Sequence, residues 1–382
     1  MARILHLTSV LGIGGLERWL VSMFQETPRE RHQIDFCCKT SIAGELVPVV
    51  QEHGAQVFHC PLRPDHVRFS RELERILRAG QYDVLHNHLA TYSGLPVWVA
   101  KRTGIPVVTT FHSTHLLPLN PWLKLPGLRT LRSWYGCLSV GYALRNSDFV
   151  TTISKGVLRS FDPDGRRTGR RARVTYYGVH LPPRPRPGDR AAFRRGLGWP
   201  EETPITIHVG AFREAKNHSG VLAAFRGARA RVPAAKLLLV GQGALRPDIE
   251  RAIADLGLTQ AVLSLGLRDD VPRLLGLCDV FLFPSLYEGF ALAAVEANAA
   301  GLPVVGSDIP GLDEAVQDQE TALLHRVDDT EGMADSLAEL LTNRSLSKRL
   351  GEAGRARAAS QFGMEVAMAR WLEVYDECAR LL

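Results

Sequence analysis

The chain has 382 residues, 45% of them hydrophobic and 23% charged, with a formal net charge of +6. That composition excludes a disordered or collagen-like chain, and the length exceeds one ordinary core, so two domains are expected. The charge is uneven: residues 1–185 carry 24 Lys+Arg against 13 Asp+Glu, and residues 186–382 carry 22 against 27. A basic half joined to an acidic half suits a phosphorylated ligand or an anionic membrane surface, or reflects only an arginine-rich exterior. Nucleic acid is not expected as a partner. The six cysteines, Cys37, Cys38, Cys60, Cys137, Cys278 and Cys378, form no C-x-x-C and no zinc spacing. Most sit in apolar stretches and read as buried thiols of a reducing compartment.

The first apolar run is broken by Gly12, Gly14, Gly15, Glu17 and Arg18, so it reads as a strand and not as a signal peptide. No run approaches the roughly 18 apolar residues of a spanning helix. A cytoplasmic protein, soluble or peripheral at the inner membrane face, is the expectation. Strands are predicted at Arg3–Leu7, Gln33–Cys38, Gln56–His59, Val84–Asn87, Val107–Phe111, Phe149–Ile153 and Val174–Tyr176. Helical patterns lie between them, as at Leu16–Glu26, Arg71–Ala79 and Tyr92–Thr103. Residues 181–190 hold four prolines and read as a linker. The rhythm restarts with strands at Thr206–Val209, Lys236–Val240, Val262–Leu265, Val280–Phe283, Val304–Gly306 and Ala322–Leu324, then helices at 331–342, 346–360 and 365–381. The fold class is α/β: two doubly wound parallel-sheet domains facing a central cleft. The expected division is 1–182, with 365–382 packing back on it, and 183–364.

Four segments carry candidate chemistry. The first is the Gly12, Gly14, Gly15 loop, which precedes a helix and can cradle a phosphate, although its glycine spacing alone is weak. The second holds His112, directly after a strand, with His115 three residues on; His86 and His88 lie at another strand end, lining an acceptor side or coordinating nothing. The third is residues 207–225, where a strand ends at Gly210, a helix starts near His218, and Arg213 and Lys216 lie between them, placed to meet a diphosphate. The fourth is residues 279–314, in which a buried strand leads to a loop with Glu288 and Gly289, then a helix carrying Glu296 among Ala, Leu and Val. Residues 119–135 combine Trp122, Leu125, Leu128, Leu131 and Trp134 with Lys124, Arg129 and Arg132. That segment suits a membrane surface or a core helix, and Pro126 argues against one uninterrupted helix.

The run EGFALAAVE, Glu288 to Glu296, resembles the E-x7-E signature of retaining glycosyltransferases of the family 4 type, which have the GT-B fold. The resemblance implies that Glu288 lies against the donor sugar and Glu296 against the nucleotide ribose. The backbone of Gly289, Phe290, Ala291 and Leu292 would meet the diphosphate, with Lys216, Arg213 and Gly210 on the opposite wall. The base would lie near Gly241, Gly243, Leu267, Arg268 and Val271. Gly15 would face the diphosphate and sugar, and His112 would lie beside the transferred sugar and acceptor. Ala211 stands where the family usually has Arg, with Arg213 as its substitute. The implied reaction is retaining transfer from a nucleotide-diphosphate sugar, UDP-linked by family frequency or else GDP-linked, to a sugar, lipid-linked or small-molecule hydroxyl. A surface polysaccharide, glycolipid or glycoconjugate is the implied product class. No metal and no cofactor are required. Competing readings are a nucleotide-sugar epimerase or hydrolase on the same fold, a glycosidase using Glu288 and Glu296, and a non-enzymatic binding module.

Overall fold

The computed structural model describes residues 1–114 and 126–382, and for 126–132 the backbone alone. It comprises two compact units, one of residues 1–178 with 365–382 and one of residues 179–364.

The first unit is built on seven parallel strands: β1 (Ala2–Thr8), β2 (His32–Cys38), β3 (Val57–His59), β4 (Val84–Asn87), β5 (Val107–Phe111), β6 (Phe149–Thr152) and β7 (Ala172–Val174). Their order is β3-β2-β1-β4-β5-β6-β7. The central strands β4, β5 and β6 are buried at every residue. Consecutive buried residues mean that both sheet faces are covered, as a parallel sheet requires.

The second unit carries six parallel strands: β8 (Ile205–Val209), β9 (Lys236–Val240), β10 (Val262–Gly266), β11 (Val280–Phe283), β12 (Val304–Ser307) and β13 (Ala322–His325). They run in the order β10-β9-β8-β11-β12-β13. Its core joins Leu237 and Leu239 of β9 and Leu282 of β11 to Val221 and Phe225 of the helix His218–Arg231 and to Met333 and Leu337 of the helix Thr330–Thr342. Both sheets are therefore doubly wound α/β layers, as the sequence rhythm implies.

In each sheet the strand order reverses once, between β1 and β4 in the first unit and between β8 and β11 in the second. Such reversals leave a crevice beyond the carboxyl ends of the strands, because the two flanking connections depart to opposite faces. One sequence expectation is corrected. The last strand of the first unit is Ala172–Val174, not Val174–Tyr176; it pairs on one side alone, so its residues are only half-buried and carry a weak pattern. A helix of 21 residues, Pro126–Asn146, precedes β6; the segment before it lies outside the described residues. Among the described residues no helix is long and apolar enough to cross a membrane. All six cysteines are free thiols, and five of them are buried, with Cys137 exposed.

Candidate functional site

At the reversal in the second unit, the loop after β8 meets the loop after β11. The two are stitched together by their own backbones: Leu286 N–H donates to Ala215 O at 2.9 Å. Asn217, held at φ 47°, donates from its amide to Pro284 O at 2.9 Å and accepts from Gly220 N–H at 3.1 Å. It thereby caps the helix His218–Arg231 and anchors the end of β11. An Asn tolerates this left-handed conformation better than most residues. Asn217 was not among the residues singled out from sequence; an Asn placed directly before a helix was its signal.

This stitching brings Lys216 onto Glu288. Lys216 Nζ lies 2.5 Å from Glu288 Oε1, with the two side chains only 12% and 9% exposed. The ammonium also stands 4.6 Å from the centroid of the Phe283 ring, a cation–π contact that the sequence did not disclose. The sequence sets Lys216 and Glu288 on separate parts of a ligand; in the structure they pair with each other.

Close backbone packing makes room for this pair. A Cβ on Gly241, at φ 138°, would lie 2.0 Å from Gly210 O, and one on Gly243 would lie 2.4 Å from Phe212 O. Gly210 N–H donates to Val240 O at 3.0 Å and Gly241 N–H to Gly266 O at 2.9 Å. The loops after β8, β9 and β10 are thus layered backbone on backbone. Gly241→Ala is expected to cost about 1–3 kcal/mol of stability in the second unit. Urea unfolding of the variant reads this, and unchanged stability would show that the layering is not needed.

The remaining residues of the loop after β11 divide between exposed and committed groups. Gly289 is half-buried, whereas Phe290 and Ala291 are buried. Phe290 packs on Phe362, with ring centroids 5.4 Å apart. The Ala291 N–H, expected to be available to an anion, donates to Gly311 O at 3.0 Å, and Leu292 N–H turns back to Phe290 O at 2.9 Å. Gly311 sits at φ 88°, and a Cβ there would meet Gly289 O at 2.9 Å. The helix that follows, Leu292–Ala299, has no side-chain cap. Glu296 is its fifth residue and is half-buried.

Arg213 is exposed, and the structure gives its side chain no ion pair among the described residues. Arg268 is also exposed and bonds to Asp270 through Nε and Nη2, both at 2.8 Å, so its cation is already matched. Val271 opens a short helix, Val271–Leu277. Beneath the Lys216 loop, His208 Nδ1 bonds to Leu282 O at 2.9 Å. His208 and His218 are both buried, and burial pushes their imidazoles down to about 3 and about 4, with nearby Lys216 adding to the effect.

In the first unit the helix Gly15–Glu26 follows β1. Its N-cap, Gly14, provides no side-chain hydrogen bond, and Gly15 is exposed with open space around it. Glu17 in the first turn is raised above the usual carboxylate range by burial. His112 follows β5 and is not alone. Its Nδ1 lies 2.6 Å from Tyr177 Oη and its Nε2 lies 2.9 Å from His88 Nδ1. His86 and His88 are both buried. They meet His6 from β1, and one ligand atom from each of the three lies within 4.8 Å of the others. His115 and Trp122 lie outside the described residues. Trp134 and Leu138, on the helix Pro126–Asn146, are exposed. The single Asp-x-Asp spacing of the chain, Asp162-Pro163-Asp164, is a loop anchor: Asp162 accepts from Arg167 N–H at 3.1 Å, Thr168 N–H at 2.8 Å and Thr168 Oγ1 at 2.6 Å.

Residues 13–182 match the family described as Glycosyltransferase Family 4, and residues 189–357 match Glycosyl transferases group 1. The chain is 28% identical over 334 residues to N-acetyl-alpha-D-glucosaminyl L-malate synthase of Bacillus anthracis, spanning 85% of this chain and 82% of that protein. It is 33% identical over 322 residues to D-inositol 3-phosphate glycosyltransferase of Salinispora arenicola (strain CNS-205), spanning 78% of this chain and 69% of that protein. Its fold is similar to that of Anabaena Alr3699/HepE in complex with UDP and glucose, with a TM-score of 0.83 at 19% identity over 99% of this chain and all of that one.

Proposed function

The chain belongs to the glycosyltransferases of group 1 and family 4, and on that premise we propose that it transfers a sugar, with retention, from a UDP-sugar to a hydroxyl acceptor. The observation that carries this reading is the buried Lys216–Glu288 pair at the strand-order reversal of the second unit. A departing nucleoside diphosphate gains negative charge as the glycosidic bond breaks, and a fixed, partly desolvated cation stabilises that charge at no cost in reorganisation. Donor binding releases Lys216 to the diphosphate and Glu288 to the sugar hydroxyls. Glu296 takes the ribose, and the dipole of the helix Leu292–Ala299 favours the remaining phosphate charge. Arg213, exposed beside Lys216, swings in as a second cation in place of the Arg absent at Ala211. Phosphate oxygens accept the proton of the incoming hydroxyl, so no metal and no strong protein base are required.

The acceptor we infer is small and anionic. Two relatives are named for malate and for inositol 3-phosphate, and the first half of the chain is the basic one. The test is a panel of UDP-, GDP- and ADP-sugars scored by mass spectrometry for binding and slow hydrolysis, followed by malate, inositol phosphates and lipid-linked sugars as acceptors. UDP-sugars are expected to bind best. A panel in which no nucleotide sugar binds at millimolar concentration would sink the donor assignment, and transfer to lipid-linked sugars alone would sink the acceptor assignment.

A further inference from the structure

Parallel pairing sets His6 opposite His86, and Thr110 opposite Thr151, across neighbouring strands. The result is one continuous hydrogen-bonded series inside the first unit. Thr151 Oγ1 lies 2.5 Å from Thr110 Oγ1, which lies 2.5 Å from His86 Nε2. His86 Nδ1 lies 2.7 Å from Tyr375 Oη, which lies 3.1 Å from His6 Nε2. His6 Nδ1 lies 3.1 Å from His88 Nε2, and His88 Nδ1 reaches His112 Nε2 at 2.9 Å, with Tyr177 Oη beyond.

A neutral imidazole has one N–H and one bare nitrogen. If His112 carried its proton on Nε2, that N–H would need a bare His88 Nδ1, and so on along the series. His6, His88 and His112 therefore share one tautomer, since two N–H groups facing each other at about 3 Å repel.

The end of the series selects which tautomer. Thr151 Oγ1 is buried, and Thr110 Oγ1 is its one side-chain partner among the described residues. If the series ran toward Thr151, its hydroxyl hydrogen would be buried without an acceptor. If the series runs away from it, Thr151 donates and leaves only lone pairs unfilled, which costs less. Thr151 then donates to Thr110, and Thr110 to His86 Nε2. His86 Nδ1–H donates to Tyr375, whose hydroxyl donates to His6 Nε2 in preference to the weaker acceptor Met23 Sδ at 3.7 Å.

We propose that His6, His88 and His112 form a tautomeric relay, each with its proton on Nδ1, in which His88 and Tyr177 are positioning residues that keep both ring nitrogens of His112 occupied. This rests on His112 lying beside the acceptor and adds what its ring does there. It is held neutral and oriented, and the hydroxyl proton of Tyr177 is displaced from it, so His112 takes no proton from the acceptor. Burial pushes His6 and His112 down to about 3, and His86 and His88 well below the usual histidine range. The ionisable groups around the relay include Glu17, which faces Tyr177, and Cys378, His32 and Asp376 near Tyr375. Among the described residues, no carboxylate pairs with the relay rings themselves. Every ring nitrogen of the His6, His86 and His88 cluster already has a hydrogen-bond partner, which favours the relay over a metal ion in the same place.

Long-range ¹H–¹⁵N spectra of ¹⁵N-histidine-labelled protein test this without turnover, so failure of the donor reading leaves the result legible. The three rings are expected as Nδ1–H, untitrated for as long as the first unit stays folded. His88→Leu should free His112 Nε2 and introduce a pH inflection in kcat/KM between about pH 5 and 8. His88→Gln, which accepts and donates in the same sense, should preserve the wild-type His112 tautomer. An Nε2–H form at any of the three rings, mixed tautomers, or a stoichiometric metal in the purified protein would overturn the proposal. If His88→Leu does not fold, the wild-type spectrum decides alone.

Discussion

Lys216→Ala is expected to lower kcat by about 100- to 1,000-fold, the usual cost of removing one preorganised charge from a developing anion. It is also expected to destabilise the second unit by about 3–5 kcal/mol, because Glu288, its side chain 9% exposed, stays behind without its partner. The two effects separate in a double variant. Lys216→Ala with Glu288→Gln removes the orphaned carboxylate, so stability recovers in part while turnover does not. Glu288→Ala alone should lose turnover too, since the sugar hydroxyls lose their hydrogen-bond partner. Steady-state kinetics with the best nucleotide sugar and urea unfolding read both quantities. Wild-type turnover in Lys216→Ala and Glu288→Ala together would remove the basis for placing the chemistry here.

Acid should weaken the two units unequally. His6, His86, His88 and His112 are held neutral in the first unit, with pKa values lowered by burial. On unfolding each returns to the ordinary value of about 6.5. Because the folded pKa is the lower one, the unfolded chain binds more protons below about pH 6.5. Stability is therefore intact above that pH and falls as the pH drops below it. One pH unit lower, each group costs about 1.4 kcal/mol, so four cost about 6 kcal/mol, comparable to the whole stability of a typical domain. In the second unit His208 and His218 act in the same sense but number two. Hydrogen exchange followed peptide by peptide from pH 7.5 to 5.5 should show the first unit opening first. Equal protection of both units across that range would contradict the neutral state of the four histidines.

The α/β layering was legible because a parallel strand buried on both faces is a short apolar run, and each run here is followed by a helical pattern. Val84–Asn87, Val107–Phe111, Lys236–Val240 and Val280–Phe283 fall where the sequence places them. Edges were less legible: β7 has a neighbour on one side only and shows no buried run. Within the candidate site, contacts between distant segments were not legible. Lys216 and Glu288 are 72 positions apart, and only the placement of β8 beside β11 brings them together. The Ala291 N–H looked available because nothing local shows that Gly311 O turns back to it. The histidines are the clearest case: His6, His86, His88 and His112 come from three strands, and their linkage depends on the order β1-β4-β5, which no local pattern encodes.

The partition of the chain also sets a timetable for synthesis. The second unit is continuous in sequence, residues 179–364, whereas the first is completed by residues 365–382. Those late residues include Trp371 and Tyr375, both fully buried, and Tyr375 bonds His86 and His6 at the centre of the first unit. A ribosome delivering residues in order would normally let the first domain fold first. Here the earlier-made unit waits, its histidines lacking Tyr375, until the whole of the later-made unit has emerged.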